Sequence, residues 1–105
     1  MNDNPSKMDE IRNAIDTIDA QLLKLFNERA RCAIELGNIK EDAGLDIYDP
    51  ERESQIVENM QSINAGPLDK RAVKDLFQRV IDESRRVEKL SATRILKTKE
   101  NESKK

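Results

Sequence analysis

Arg29 and Lys40 stand where an apolar helix face should continue, and a cation buried in such a place needs an anion. The face begins with Ile11, Ile15, Ile18, Leu22 and Leu25, stepping alternately by four and three, the period of a helix packed on other helices. Continued past Leu25, the same steps land on Arg29, then Cys32 or Ala33, then Leu36, then Ile39 or Lys40. Further on, Glu53 lies one turn before Ile56, Val57 and Met60, and the steps Phe77, Ile81, Ser84, Glu88 place a hydroxyl and a carboxyl on another inner stripe. Arg12 borders the first stripe and Arg52 borders the second. Cations that face inward with few acids beside them describe a pocket for a small dianion. Arginine suits this work because its planar fork meets a carboxylate with two parallel hydrogen bonds.

Each residue alone also has a plainer reading. The stems of Arg12 and Arg52 fit a rim that covers apolar surface. Lys40, close to the end of its helix, complements the helix dipole. Glu88 can pair with Arg85 or another surface cation, Glu53 with a neighbouring cation, and Ser84 fits where space is tight. Arg29 is harder to read this way, because it interrupts a sustained apolar run. Taken together, periodicity supports an anion-binding helical dimer and goes no further.

The elements that must position these groups follow from local signals. Met8 to Gly44 reads as one long helix, with no proline inside it, Ser6 or Asp9 as a cap, and Gly44 as a C-terminal stop. About 36 helical residues span roughly 54 Å, far more than the ~13 Å radius of gyration of a compact domain this size. Either the helix breaks, with Gly37 the candidate, or a second chain covers it; a dimer is the favoured reading. After the connector Leu45-Asp46-Ile47-Tyr48, Asp49-Pro50-Glu51 is a strong helix start: an Asx cap, proline at the first position and an acid in the first turn. That second helix ends near Asn64, before Gly66-Pro67, with Ile56, Met60 and Ile63 on its apolar face. A third opens at Leu68 or Asp69 and carries Val73, Leu76, Phe77, Val80, Ile81, Val87 and Leu90. The expected fold class is all-α, three helices ordered long, short, long in an intertwined homodimeric bundle. Residues 1–7 are expected to form a flexible arm, 8–92 the folded domain, and 93–105, where periodicity fades, a charged frayed tail.

Composition limits the function. Charged residues make up 38% of the chain and aromatics 3%, a balance that suits a bundle built on Leu, Ile and Val rather than a sheet sandwich. The net charge of −2 with both signs interspersed gives no reason to expect nucleic-acid or membrane affinity. The single Cys32 cannot form an internal disulfide, and no apolar signal or membrane-spanning run is present, so a soluble cytoplasmic protein is expected. With no histidine, one cysteine and no glycine-rich phosphate loop, neither a metal site nor a nucleotide cofactor is expected.

Ordered segments sharpen the reading. Arg12 with Ile15, Ile18-Asp19, Leu22-Leu23, Glu28-Arg29, Leu36-Gly37-Asn38-Ile39-Lys40, Tyr48-Asp49-Pro50-Glu51-Arg52-Glu53 and Leu76-Phe77 resemble, in order and spacing, the all-helical AroQ class of chorismate mutases over about Met8 to Leu90. The resemblance implies an intertwined dimer whose first helices pair along their length. It implies the Claisen rearrangement of chorismate to prephenate, at the branch to phenylalanine and tyrosine, with no cofactor. By motif position, Arg29 would clamp a substrate carboxylate, joined by Arg12 from across the dimer interface, and Lys40 would donate to the ether oxygen. Glu53 and the backbone at Asp49 would hold the substrate hydroxyl. Arg52 would line the pocket, Ser84 would touch a carboxylate, and Ile81 would form an apolar wall.

One position departs from many bacterial members of that class, which carry glutamine where this chain has Glu88. An ionised glutamate cannot donate a hydrogen bond to the ether oxygen. Glu88 is therefore expected to be protonated in the active state, as in relatives that share it. Two alternatives stay open. An isochorismate pyruvate lyase resembles these mutases and uses a similar cationic pocket, and a non-catalytic helical dimer could serve as a regulatory or docking module. A partner enzyme of the aromatic pathway is a further expectation, since mutases of this class are often fused or docked to others.

Overall fold

The structure is a computed structural model that describes the backbone of residues 4–103 and the side chains of residues 4–92. Helix α1 spans Asn4–Asp42, α2 spans Pro50–Ile63 and α3 spans Lys70–Ser103, the long, short, long order expected.

Local chemistry explains most of the boundaries. Pro5 sits in the first turn of α1, where its missing N–H and fixed φ cost nothing, so the helix starts at Asn4 and takes in half of the expected arm. At the other end Gly44 adopts φ +70°, and its N–H and that of Leu45 reach back to the carbonyls of Glu41 and Lys40 at 3.1 and 2.8 Å. This left-handed glycine closes the last turn, as the sequence suggests. Asp49 caps α2, its Oδ1 accepting from the Arg52 N–H at 3.1 Å, with Pro50 at the first helical position. Asp69 does the same for α3, accepting from the Ala72 N–H at 2.8 Å.

Helix α1 runs unbroken through Gly37, and α3 keeps its helical backbone to Ser103, past Thr93 where the apolar period fades. Lysine and glutamate are good helix formers, and no glycine or proline lies between Thr93 and Ser103 to stop the helix even though its apolar stripe has ended.

Helix α3 packs against both α1 and α2. The core it makes with them is small. Among the described residues the buried apolar side chains are Val57, Val73 and Ile81, with Ser84 the buried polar one. The first two-thirds of α1 project from this core, and Ile11, Ile15, Ile18, Leu22 and Leu25 are all more than two-fifths exposed. Helix α1 has 39 residues, about 58 Å at 1.5 Å each. The molecule accordingly measures 74 × 34 × 14 Å, with a radius of gyration of 19.5 Å.

Candidate active site

A cleft of about 280 Å³ opens where the C-terminal half of α1, the connector, the start of α2 and the middle of α3 converge. Helix α1 lines it with Arg29, Cys32, Ala33, Leu36 and Lys40, and the connector with Ile47 and Asp49. Helix α2 adds Arg52, Glu53 and Ile56, and α3 adds Ile81, Ser84, Arg85 and Glu88. Of the residues singled out in the sequence, Arg29, Lys40, Asp49, Arg52, Glu53, Ile81, Ser84 and Glu88 thus share one cavity.

Arg12 does not join them within the chain. Its side chain is 66% exposed on the projecting part of α1 and lies 3.8 Å from the Asp9 carboxylate. Seventeen residues separate it from Arg29, about 26 Å along a helix axis.

The geometry holds Arg29 and Lys40 in place without neutralising them. Arg29 Nη1 donates to Ser84 Oγ at 2.8 Å, which explains why a hydroxyl stands on the inner stripe of α3. A serine orients the guanidinium yet leaves its charge and its other N–H donors for a ligand. Lys40 Nζ points to the carbonyl of Ile47 at 3.4 Å, another neutral acceptor. Glu53 is the cation-paired acid of the cleft, with its Oε1 3.5 Å from Arg85 Nη2.

Glu88 is unusual among these groups. Its Oε2 is buried with no hydrogen-bond partner. Burial pushes its carboxyl above the ordinary range, against the pull of Lys40, Arg29 and Arg85 and with a smaller push from Glu53. Gly37 makes this burial possible: a Cβ there would meet Glu88 Oε2 at 3.1 Å. The glycine that looked like a helix break is therefore a close-approach site between α1 and α3.

Sequence reasoning named Gly37 and Arg85 without giving Gly37 its close approach to Glu88 or Arg85 its place in the cleft. Arg85 had a visible signal, since the steps Ile81, Arg85, Glu88 follow one helix face by four and three. Gly37 had none, because a close approach depends on what the facing helix presents.

A cleft in which Arg29 and Lys40 are held by neutral partners, beside a carboxyl whose pKa is raised by burial, is suited to a small dianion. Comparison with known proteins identifies the family. Residues 11–89 match the family model described as chorismate mutase type II. The chain is 45% identical over 78 residues to a bifunctional chorismate mutase/prephenate dehydratase of Neisseria gonorrhoeae, covering 74% of this chain but 21% of that protein. The chain thus spans about a fifth of the length of such bifunctional relatives. It is 34% identical over 84 residues to the chorismate mutase of Methanocaldococcus jannaschii, covering 79% of this chain and 85% of that one. Its fold superposes on a chorismate mutase of Thermus thermophilus with a TM-score of 0.78 at 28% identity, covering 79% of this chain and 94% of that one. With the model match running through all three helices and the cleft between them, the chain belongs to the type II chorismate mutase family.

Proposed function

We propose that this chain converts chorismate to prephenate in the cleft between its three helices, as a homodimer in which the partner subunit's Arg12 completes each site. The observation that carries the reading is the union in one cavity of Arg29 and Lys40, each held by a neutral acceptor, with Glu88, whose Oε2 is buried and has no hydrogen-bond partner. The acting unit is residues 8–92, and its place is the aromatic branch of amino-acid synthesis in the cytoplasm.

The substrate is a flexible dianion that must adopt a folded, chair-like shape before one bond breaks as another forms. Arg29, oriented by Ser84, takes one carboxylate, and the partner's Arg12 takes the other end of the same anion. Pinning the ends restricts the molecule to near-attack conformers. Glu53 and the α2 N-terminus at Asp49 receive the ring hydroxyl, Arg52 supports the acidic groups, and Ile81 bounds the ring. As the ether bond breaks, negative charge grows on its oxygen. Lys40 and protonated Glu88 donate to that oxygen, and their attraction is greater in the transition state than in the ground state. No cofactor, metal or covalent intermediate enters the reaction.

The dimer has independent physical support. A core with so few buried apolar side chains leaves the stripe Ile11 to Leu25 exposed to water, and an exposed apolar patch of this length marks an association surface. Its pairing with the same stripe of a second copy brings Arg12 over the far cleft.

The direct test is to mix purified protein with chorismate and follow prephenate formation beside an Arg29→Ala variant. Prephenate from the native chain, with a loss on the order of 10²–10³-fold in the variant, supports the reading. Salicylate and pyruvate from isochorismate, with no prephenate from chorismate, would mark a lyase of the same fold. A folded dimer that turns over neither, and whose melting temperature a small dianion does not raise, would mark a docking module.

A further inference from the structure

We infer that Arg85 is a positioning residue, which fixes Glu53 and the connector ahead of α2 at the wall of the cleft through its ion pair with Glu53 and its stack on Tyr48. The inference rests on the mutase reading above.

Arg85 reaches three groups from the middle of α3. Its Nη2 lies 3.5 Å from Glu53 Oε1 on α2 and 2.8 Å from Asp82 Oδ1 one turn earlier on its own helix. Its guanidinium carbon sits 4.8 Å from the centre of the Tyr48 ring in the connector. With a side chain 24% exposed, it faces Glu53 at 16%, so neither charge is fully screened by water. A cation that lies over an aromatic ring while its Nη2 is shared between two carboxylates is work for arginine rather than lysine.

This arrangement settles what Arg85 does in the cleft. Its charge is met by two carboxylates, so it is not a further clamp for a dianionic substrate. Among the described residues, the ion pair of Glu53 is with Arg85. Without it, the Glu53 carboxylate has Lys40 and Arg52 in the same cleft as alternative partners. Pairing with Lys40 would withdraw a donor from the ether oxygen. The stack on Tyr48 acts on the same geometry from the other side, since the neighbouring Ile47 carbonyl is the group that holds Lys40 Nζ. Arg85 thereby keeps acid and donor apart.

A second consequence follows at Glu88, one turn further along α3. The groups that bear on it are Lys40 and Arg29 from α1, Arg85 from α3 and Glu53 from α2, with burial outweighing the cations. Removal of Arg85 takes away one of the pulls toward the ionised form.

The experiment compares Arg85→Leu, Arg85→Lys, Glu53→Gln and the Arg85→Leu/Glu53→Gln double variant. In Arg85→Leu, kcat/KM for chorismate should fall by on the order of 10²-fold, the scale of a misplacement of about 1 Å. The alkaline limb of its pH profile should move upward, and Arg85→Lys should return that limb toward native while recovering activity only in part. The double variant should lose less activity than the sum of the two single losses, because Arg85 acts in part through this acid. A cycle of the same variants read by urea unfolding should show non-zero coupling between the two positions, whether or not chorismate is turned over. Native kcat/KM in Arg85→Leu, or strictly additive losses, would overturn the inference while leaving the mutase reading intact. Failure of the native chain to form prephenate overturns the mutase reading instead, and the unfolding cycle then decides alone whether Arg85 holds Glu53.

Discussion

At Glu88, burial and a cluster of cations pull in opposite directions, and burial prevails. The protonated form is the one that can donate to a breaking ether bond, so activity should be high below the raised pKa and fall as pH rises through it. Bound dianion pushes the carboxyl further the same way. A Glu88→Gln variant donates at every pH, and the alkaline fall should disappear from its kcat profile. An unchanged fall would assign the titration to another group. The sign for stability runs parallel. A carboxyl whose folded pKa is raised holds its proton more tightly in the folded state, so it stabilises below its ordinary value and that stabilisation fades as pH rises. Glu88→Gln should then match the native protein in acid and exceed it near neutral pH, which urea titrations at two pH values will read. Gly37 makes the complementary case. Alanine there gains up to ~1 kcal/mol of helix propensity, while its Cβ, at 3.1 Å from Glu88 Oε2, displaces the end of a flexible side chain rather than backbone. Gly37→Ala should therefore unfold within about 1 kcal/mol of the native protein yet lose activity, because the group it moves is the donor. A large loss of stability with native activity would contradict this account.

The starts and stops of the helices are set by single residues, and these were the most legible features of the chain. Asp49-Pro50 and Gly44 act locally, through a cap and a left-handed turn, and need no knowledge of what lies opposite. Asp49→Ala should cost about 1 kcal/mol and lower Tm by a few degrees, and should also reduce activity by loosening the turn that carries Arg52 and Glu53. Asp49→Asn, which keeps a cap, should restore most of both. Most of the candidate site was legible for a related reason. Arg29, Lys40, Ser84 and Glu88 were visible as polar interruptions of an apolar period, and the fold brings them together because the interrupted faces meet. What stayed hidden depended on neighbours. Gly37 looked like a weak point in α1 because its purpose lies on α3. Arg85 looked like a surface partner for Glu88 because its engagement with Glu53 and Tyr48 depends on how α2 and the connector dock. The early start of α1 at Asn4 arises because proline is tolerated in a first turn, and the continuation of α3 to Ser103 because good helix formers carry the backbone past the end of the apolar pattern.

The molecule as a whole is longer than its core can explain, and Arg12 shows the consequence. It lies on the projecting part of α1, about 26 Å of helix axis from Arg29, so no bend of one chain brings it into its own cleft. If the exposed stripe from Ile11 to Leu25 pairs with its copy about a twofold axis, the two helices run past each other and each Arg12 meets the other chain's cleft. The geometry has a quantitative signature. Arg12→Ala and Arg29→Ala should each be nearly inactive as pure proteins while melting close to the native temperature, since both arginines serve ligand more than fold. Mixed, unfolded and refolded together, they form dimers of which about half pair one variant with the other. In such a dimer one cleft carries both substitutions and the other carries neither. The mixture should regain roughly a quarter of native activity, a value set by the statistics of pairing rather than by kinetics. Sites complete within one chain predict no recovery at all, and a charge pair on an otherwise monomeric surface predicts no dependence on refolding together. Leu22→Asp on the same stripe supplies the control: introduced into both variants, it should abolish the recovery by separating the chains, with light scattering reporting monomers.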